Sequence, residues 1–174
     1  MTATGSDEAP AVVDGVDGTG TDAEWLGQAV ALAARNVAEG GGPFGALVVI
    51  DDHLVSTGVN RVTRDMDPTA HAEVTAIRAA CRFRGEFHIP KAVLYTSCEP
   101  CPLCMASALW ARVSRVVYAA DREDAARGGF DDREFYELFA RDRSTWTTKV
   151  EEIRLDDAAA PFEAWLSKVD RIAY

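Results

Sequence analysis

No run of about eighteen uninterrupted apolar residues occurs in the chain, so nothing in it predicts a membrane-spanning helix. Basic clusters are missing as well. The 18 Lys and Arg are outnumbered by 28 Asp and Glu, for a net charge of −10. They are also scattered, as in Arg112 and Arg115 or Arg141 and Arg143. Nucleic-acid binders need such clusters, because neutralising phosphates supplies most of their affinity. Their absence speaks against a nucleic-acid partner and for a small, weakly charged substrate. The first twenty residues, Met1–Gly20, lack the basic-then-apolar order of a signal peptide, and a cytoplasmic address is the expectation. No internal repeat is present. Cysteine is sparse too, with four residues, yet three of them crowd into Cys98–Cys104. Thiols packed that closely in an intracellular setting more often hold a metal than form a disulfide framework.

What the chain does contain is the composition of a soluble globular protein: 48% hydrophobic, 9% aromatic and 26% charged residues in 174. That length suits one domain with a real core. Residues 1–21, rich in Gly, Asp, Thr and Ala, read as a disordered acidic tail, and residues 22–174 as the folded domain. A helix capped by Thr21 or Asp22 follows, with an apolar stripe of Trp25, Leu26, Ala29, Val30, Leu32, Ala33 and Val37. Gly40–Gly42 stops it. Two β-rich runs, Ala46–Ile50 and Leu54–Val59, joined through Asp51–His53, predict a hairpin. Pro68 opens a segment of helical spacing that continues to Arg82. Beyond it the pattern predicts a strand at Ala92–Thr96, a helix at Cys101–Ala111 and a strand at Arg115–Ala119. A helix at Asp131–Ala140, a strand at Val150–Leu155 and a helix at Pro161–Val169 complete the reading. Strands alternating with helices after an opening hairpin predict a three-layer α/β/α sandwich around a mixed sheet.

Two short stretches carry chemistry: His71–Ala72–Glu73 and Pro100–Cys101–Pro102–Leu103–Cys104. Cys101 and Cys104 are three apart at a helix start, so their sulfurs share a face. The positive end of the helix favours the thiolates that bind zinc. His71, at the start of another helix, is the natural third ligand. Three protein ligands leave the fourth tetrahedral position open, which distinguishes a catalytic zinc site from a structural one. Glu73 beside the metal could take a proton from attacking water and return it to a leaving amine. Residues two apart do not share the face of a continuing helix. His71 and Glu73 therefore converge only if the site lies off the helix's N-terminal end. The H-x-E…P-C-x-x-C arrangement is the signature of zinc nucleobase deaminases. Other readings exist for the parts. A fourth ligand from Cys98 would make the zinc structural. An iron–sulfur motif of the bacterial spacing would need cysteine at position 108, which is Ala108. Cys81 falls on an apolar helix face and reads as core.

The sequence resembles the guanine deaminases of the cytidine-deaminase-like fold, the small bacterial zinc type, from about Trp25 to Tyr174. The marks are Gly42–Ala46, Asp67–Arg78, Leu94–Cys104, Gly129–Asp132, Pro161–Trp165 and the terminal Tyr174. The resemblance implies hydrolysis of guanine, with His71, Cys101 and Cys104 holding one zinc per subunit and Glu73 shuttling protons. It implies that Asn60 and Asp132 meet the polar edge of the base, with Phe44 and Trp110 near its faces. Backbone N–H groups around Ala72 and Cys101 would help polarise it. It further implies a homodimer that exchanges C-terminal segments and brings Tyr174 to the neighbouring pocket. Cytosine, an aminotriazine or guanosine are alternative substrates. A tRNA adenosine deaminase and a non-catalytic zinc-stabilised module are more distant alternatives.

Overall fold

A computed structural model describes residues 20–173; residues 1–19, and with them nearly all of the expected tail, lie outside the described residues, as does Tyr174. The chain divides into two compact units, the first ending at Arg133 and the second running from Glu134.

The first unit opens with helix α1, Asp22–Ala38, whose start is fixed by reciprocal capping. The Thr21 hydroxyl accepts from the Glu24 N–H at 3.3 Å, and the Glu24 carboxylate accepts from the Thr21 N–H at 2.7 Å. The face α1 buries is narrower than the sequence predicts. Trp25, Ala29, Ala33 and Asn36 are buried, whereas Val30 and Val37 are about half exposed. Two alanines on the contact line let the helix lie close to the sheet, so the flanking valines stay outside.

Strands β1, Gly45–Ile50, and β2, His53–Val59, form the predicted antiparallel hairpin. Asp51 and Asp52 make its two-residue turn with φ of 50° and 62°, the left-handed pair that matches strand twist. Then come a short helix α2, Val62–Asp65, helix α3, Ala72–Arg84, and strand β3, Ala92–Cys98. Helix α4, Pro102–Trp110, strand β4, Arg115–Ala120, and helix α5, Arg122–Arg127, follow. The sheet order is β2-β1-β3-β4, with β1 antiparallel to both neighbours and β3 parallel to β4. It is therefore the expected mixed sheet. Ala46, Val48 and Ile50 join a core with α3 and α4 residues such as Ile77 and Ala108. Leu47 and Val49 turn the other way onto Trp25 and Ala29 of α1. Alternation along one fully buried strand thus produces the three layers.

Helix α3 differs from its sequence reading at one end. It begins at Ala72, with His71 as N-cap, while Pro68 sits in the preceding turn, where Ala70 N–H donates to the Asp67 carbonyl at 3.1 Å. The start of α3 rests directly on β2. A Cβ at Gly58 would come within 2.2 Å of the Ala72 carbonyl oxygen and 2.5 Å of the Ala76 nitrogen. The Ser56 hydroxyl adds a hydrogen bond to the Ala76 carbonyl at 2.8 Å.

Helix α6, Arg133–Ala140, leads into the second unit, which holds a 3-10 turn at Arg143–Thr145 and helix α7, Ala160–Ser167. There the Phe139 and Trp146 rings pack edge to face, 5.5 Å apart. The strand expected at Val150–Leu155 does not form. Val150, Ile153 and Leu155 are all exposed, and alternation without a partner edge does not make a ladder. No helix among the described residues is long and apolar enough to cross a membrane.

Candidate metal centre

Two helix starts supply the candidate ligands. His71 caps α3 and Cys101 caps α4, both with extended backbone at ψ of 157° and 168°. Cys104 lies one turn into α4 and is buried. The His71 Nδ1 is 3.5 Å from the Cys101 Sγ and 3.4 Å from the Cys104 Sγ, and the two sulfurs are 3.5 Å apart. Tetrahedral zinc, about 2.3 Å from sulfur and about 2.0 Å from nitrogen, sets neighbouring ligands roughly 3.5–3.8 Å apart. The trio fits zinc, with one corner left for a non-protein ligand. Cys98 does not close that corner. Its Sγ lies 3.5 Å from the Asp121 carbonyl, outside the ligand group, and burial pushes its thiol up to about 11.

Glu73 solves its spacing problem through the cap. Because His71 is extended rather than helical, the histidine and the glutamate two residues on line the same cavity of about 500 Å³. Glu73 is only 5% exposed, and that burial pushes its carboxyl above the usual range. The cavity also takes in Phe44, Asn60 and Asp132. The Asp132 Oδ1 is buried without a hydrogen-bond partner among the described residues, and desolvation raises its carboxyl as well. An unpaired buried carboxylate oxygen in a cavity wall is a group waiting for a donor.

The sequence profile of the cytidine and deoxycytidylate deaminase zinc-binding region matches residues 19–120. This chain belongs to that deaminase family. It is 44% identical to a guanine deaminase of Bacillus subtilis over 151 residues, 86% of this chain and 97% of the relative. A crystal structure of guanine deaminase from B. subtilis superposes with a TM-score of 0.87 at 42% identity, covering 89% of this chain and 99% of that one. A more distant structure, a protein in complex with 8-azaguanine, has a TM-score of 0.63 at 30% identity, covering 70% and 74% of the two chains.

The two sulfurs and the buried Glu73 carboxyl lie side by side, and their electrostatics are coupled. The contact between the two sulfurs pulls the Cys101 thiol well below its usual range and pushes Cys104 above it. Both thiols start a helix, where the dipole favours negative charge. The contact of its ring with the Cys101 sulfur raises His71. Of the described residues that the sequence attaches to substrate, two are not among those lining this cavity. Trp110 is 65% exposed at the end of α4, and Ala72 is wholly buried in the core against β2. Cys104 and Ala108, one turn apart, share the buried face of α4, and Trp110 lies off that face. The close approach of α3 to the sheet there is made by the Ala72 carbonyl, 2.2 Å from where a Cβ at Gly58 would stand.

Other wall residues escaped the sequence reading. Phe130 packs edge to face on Phe44, with ring centroids 5.1 Å apart. Glu99 lines the wall next to the ligand loop, and its carboxylate accepts from the Arg122 Nε at 2.9 Å and the Arg122 N–H at 3.2 Å. That pair ties the Cys101 loop to α5. Its signal was available in Glu99 lying between two cysteines of the motif.

Proposed function

We propose that this chain hydrolyses guanine to xanthine and ammonia, working as a homodimer. The observation that carries the reading is an open three-ligand metal centre sharing one cavity with a buried glutamate. A guanine deaminase relative that spans nearly the whole chain supports the choice of base. Zinc, when bound, supplies Lewis acidity that makes water a nucleophile near neutral pH. The residues do the rest. Glu73 takes the proton of the attacking water at its carboxylate and hands it to a ring nitrogen of guanine as C2 becomes tetrahedral; it then takes the proton of the new C2 hydroxyl and gives it to the amine, which leaves as ammonia as the C2 carbonyl forms. Burial suits this role, since a carboxyl with a raised pKa both accepts and releases a proton readily. Asn60 and Asp132 pair with the base's polar edge, which offers an acceptor at O6 and a donor at N1. Phe44 covers a ring face.

Ammonia release with guanine, cytosine, adenine, guanosine and cytidine tests the substrate. Guanine alone should react, and activity confined to cytosine would overturn that choice. Asn60→Ala and Asp132→Ala should each keep zinc yet weaken guanine turnover, because an unpaired polar edge costs about 1–3 kcal/mol. Wild-type kcat/KM in both variants would make them structural residues.

The homodimer reading rests on an apolar second unit. Phe162, Leu166, Val169 and Ile172 are all more than half exposed in the single chain, a pattern that calls for a covering surface. Tyr174 would follow this segment onto the neighbouring subunit and close its cavity against water. Deleting Tyr174 should spare dimerisation and zinc but lower turnover. Co-expressing it with a Glu73→Gln chain should restore activity, since each mixed dimer holds one intact site. Dead heterodimers, or a fully active deletion, would remove the shared lid.

A further inference from the structure

The buried face of α1 ends in a polar residue. Asn36 is 1% exposed and continues the row of Trp25, Ala29 and Ala33. Its Nδ2 donates twice, to the Gly42 carbonyl at 2.8 Å and to the Asn60 carbonyl at 2.9 Å. Its Oδ1 is buried with no partner among the described residues. An unmet buried acceptor is destabilising, so packing alone would favour an apolar side chain there.

The amide instead holds together two separate parts of the cavity wall. Gly42 belongs to the turn after α1, Asn60 follows β2, and both line the cavity together with Phe44. Around them the backbone is cross-tied. Asn60 N–H donates to the Phe44 carbonyl at 3.1 Å, and Phe44 N–H donates to the Gly42 carbonyl at 2.9 Å. The Asn60 side chain is turned by its Oδ1, which accepts from the Val62 N–H at 3.3 Å. That leaves its NH₂ as the group free to donate to a ligand.

We infer that Asn36 is the positioning residue for Asn60: its two donated hydrogen bonds fix where Asn60 presents its amide to the base. The inference rests on the proposed contact between Asn60 and the base. Asn36 is neither among the residues that line the cavity nor one of the candidate ligands, and His71, Cys101 and Cys104 stand at the starts of other helices. Its loss should therefore act on substrate affinity and leave the metal alone.

The test compares Asn36→Leu, which keeps the branched shape in a larger side chain and removes both donors, with Asn36→Ser, which keeps one. Each is made alone and in an Asn60→Ala background. Zinc per chain, thermal unfolding, kcat and KM for guanine, and affinity for 8-azaguanine are measured. Asn36→Leu should raise KM about tenfold, with kcat changed less and zinc unchanged, and Asn36→Ser should fall between it and wild type. In the Asn60→Ala background Asn36→Leu should add less than about threefold, because residues acting through one contact are not additive. If Asn36→Leu does not accumulate folded, Asn36→Ser carries the same comparison. A lowered melting temperature with normal KM, or a full effect that persists without the Asn60 side chain, overturns the inference. Wild-type turnover in Asn60→Ala alone would instead remove the contact on which it rests. Normal KM in the Asn36 variants beside a damaged Asn60→Ala removes only the role of Asn36.

Discussion

Glu73→Gln should retain its zinc and bind 8-azaguanine, yet lose about 10²–10⁴ in turnover. The substitution keeps shape and volume at a site only 5% exposed, so packing should survive it. What disappears is the capacity to hold a proton. An amide cannot accept one from water or give one to an amine. Because Glu73 serves several proton transfers in the proposed reaction, the loss should lie toward the upper end of that range. The same substitution removes a buried ionisable group whose burial disfavours its charged form, so thermal stability should hold or rise. The measurements are metal content, calorimetric titration with 8-azaguanine and ammonia release. Near-normal turnover in a zinc-loaded Glu73→Gln chain would take Glu73 out of the reaction.

Substituting alanine for His71, Cys101 or Cys104 should strip the metal and abolish activity, while Cys98→Ser should keep both. The three ligand atoms lie within 4.8 Å of one another, so losing one leaves two donors and an affinity too low to hold zinc. Unfolding should shift as well. Ligation joins the starts of α3 and α4, and binding free energy contributes directly to folding free energy. Without the metal, two sulfurs and an imidazole face each other with no cation between them. Cys98 differs because its sulfur reaches the Asp121 carbonyl instead, a contact that a serine hydroxyl can also make. Metal analysis and thermal melts with and without a chelator check the set. Zinc loss in Cys98→Ser would show a closed four-ligand site and defeat the open-corner argument.

The candidate ligand trio and its nearness to Glu73 were legible in the sequence because coordination chemistry tolerates few residue types, and helix starts give them a fixed spacing. The Thr21 cap and the Asp51–Asp52 hairpin were legible for similar reasons, each resting on contacts within a few residues. Cavity membership was not. Phe130, Glu99 and Asn36 become wall or support only when distant segments meet, as Asn36 and Asn60 do across 24 positions. Asn36 still left a trace, a polar residue in register with Ala29 and Ala33. Helix α5 was missed because six residues carry no apolar period, although the Asp121 cap that starts it is a local signal. Trp110 lies outside the single-chain cavity wall, 65% exposed at the end of α4, a placement that proximity to the motif did not reveal. Val150–Leu155 shows that alternation is only half of a strand; the other half is a neighbour.

Gly58 contributes no atom to the cavity wall, yet the site's dimensions depend on the side chain it lacks. A methyl group there would press on the backbone of α3 rather than on a movable side chain. The helix would have to lift from the sheet. His71 and Glu73 travel with it, while Cys101 and Cys104 stay behind on α4. A trio spaced for one small ion has little slack for such a shear. A screen of random variants for metal loss would therefore return position 58 beside the ligands themselves. Grouping its hits by donor chemistry would miss it, because what that position provides is clearance.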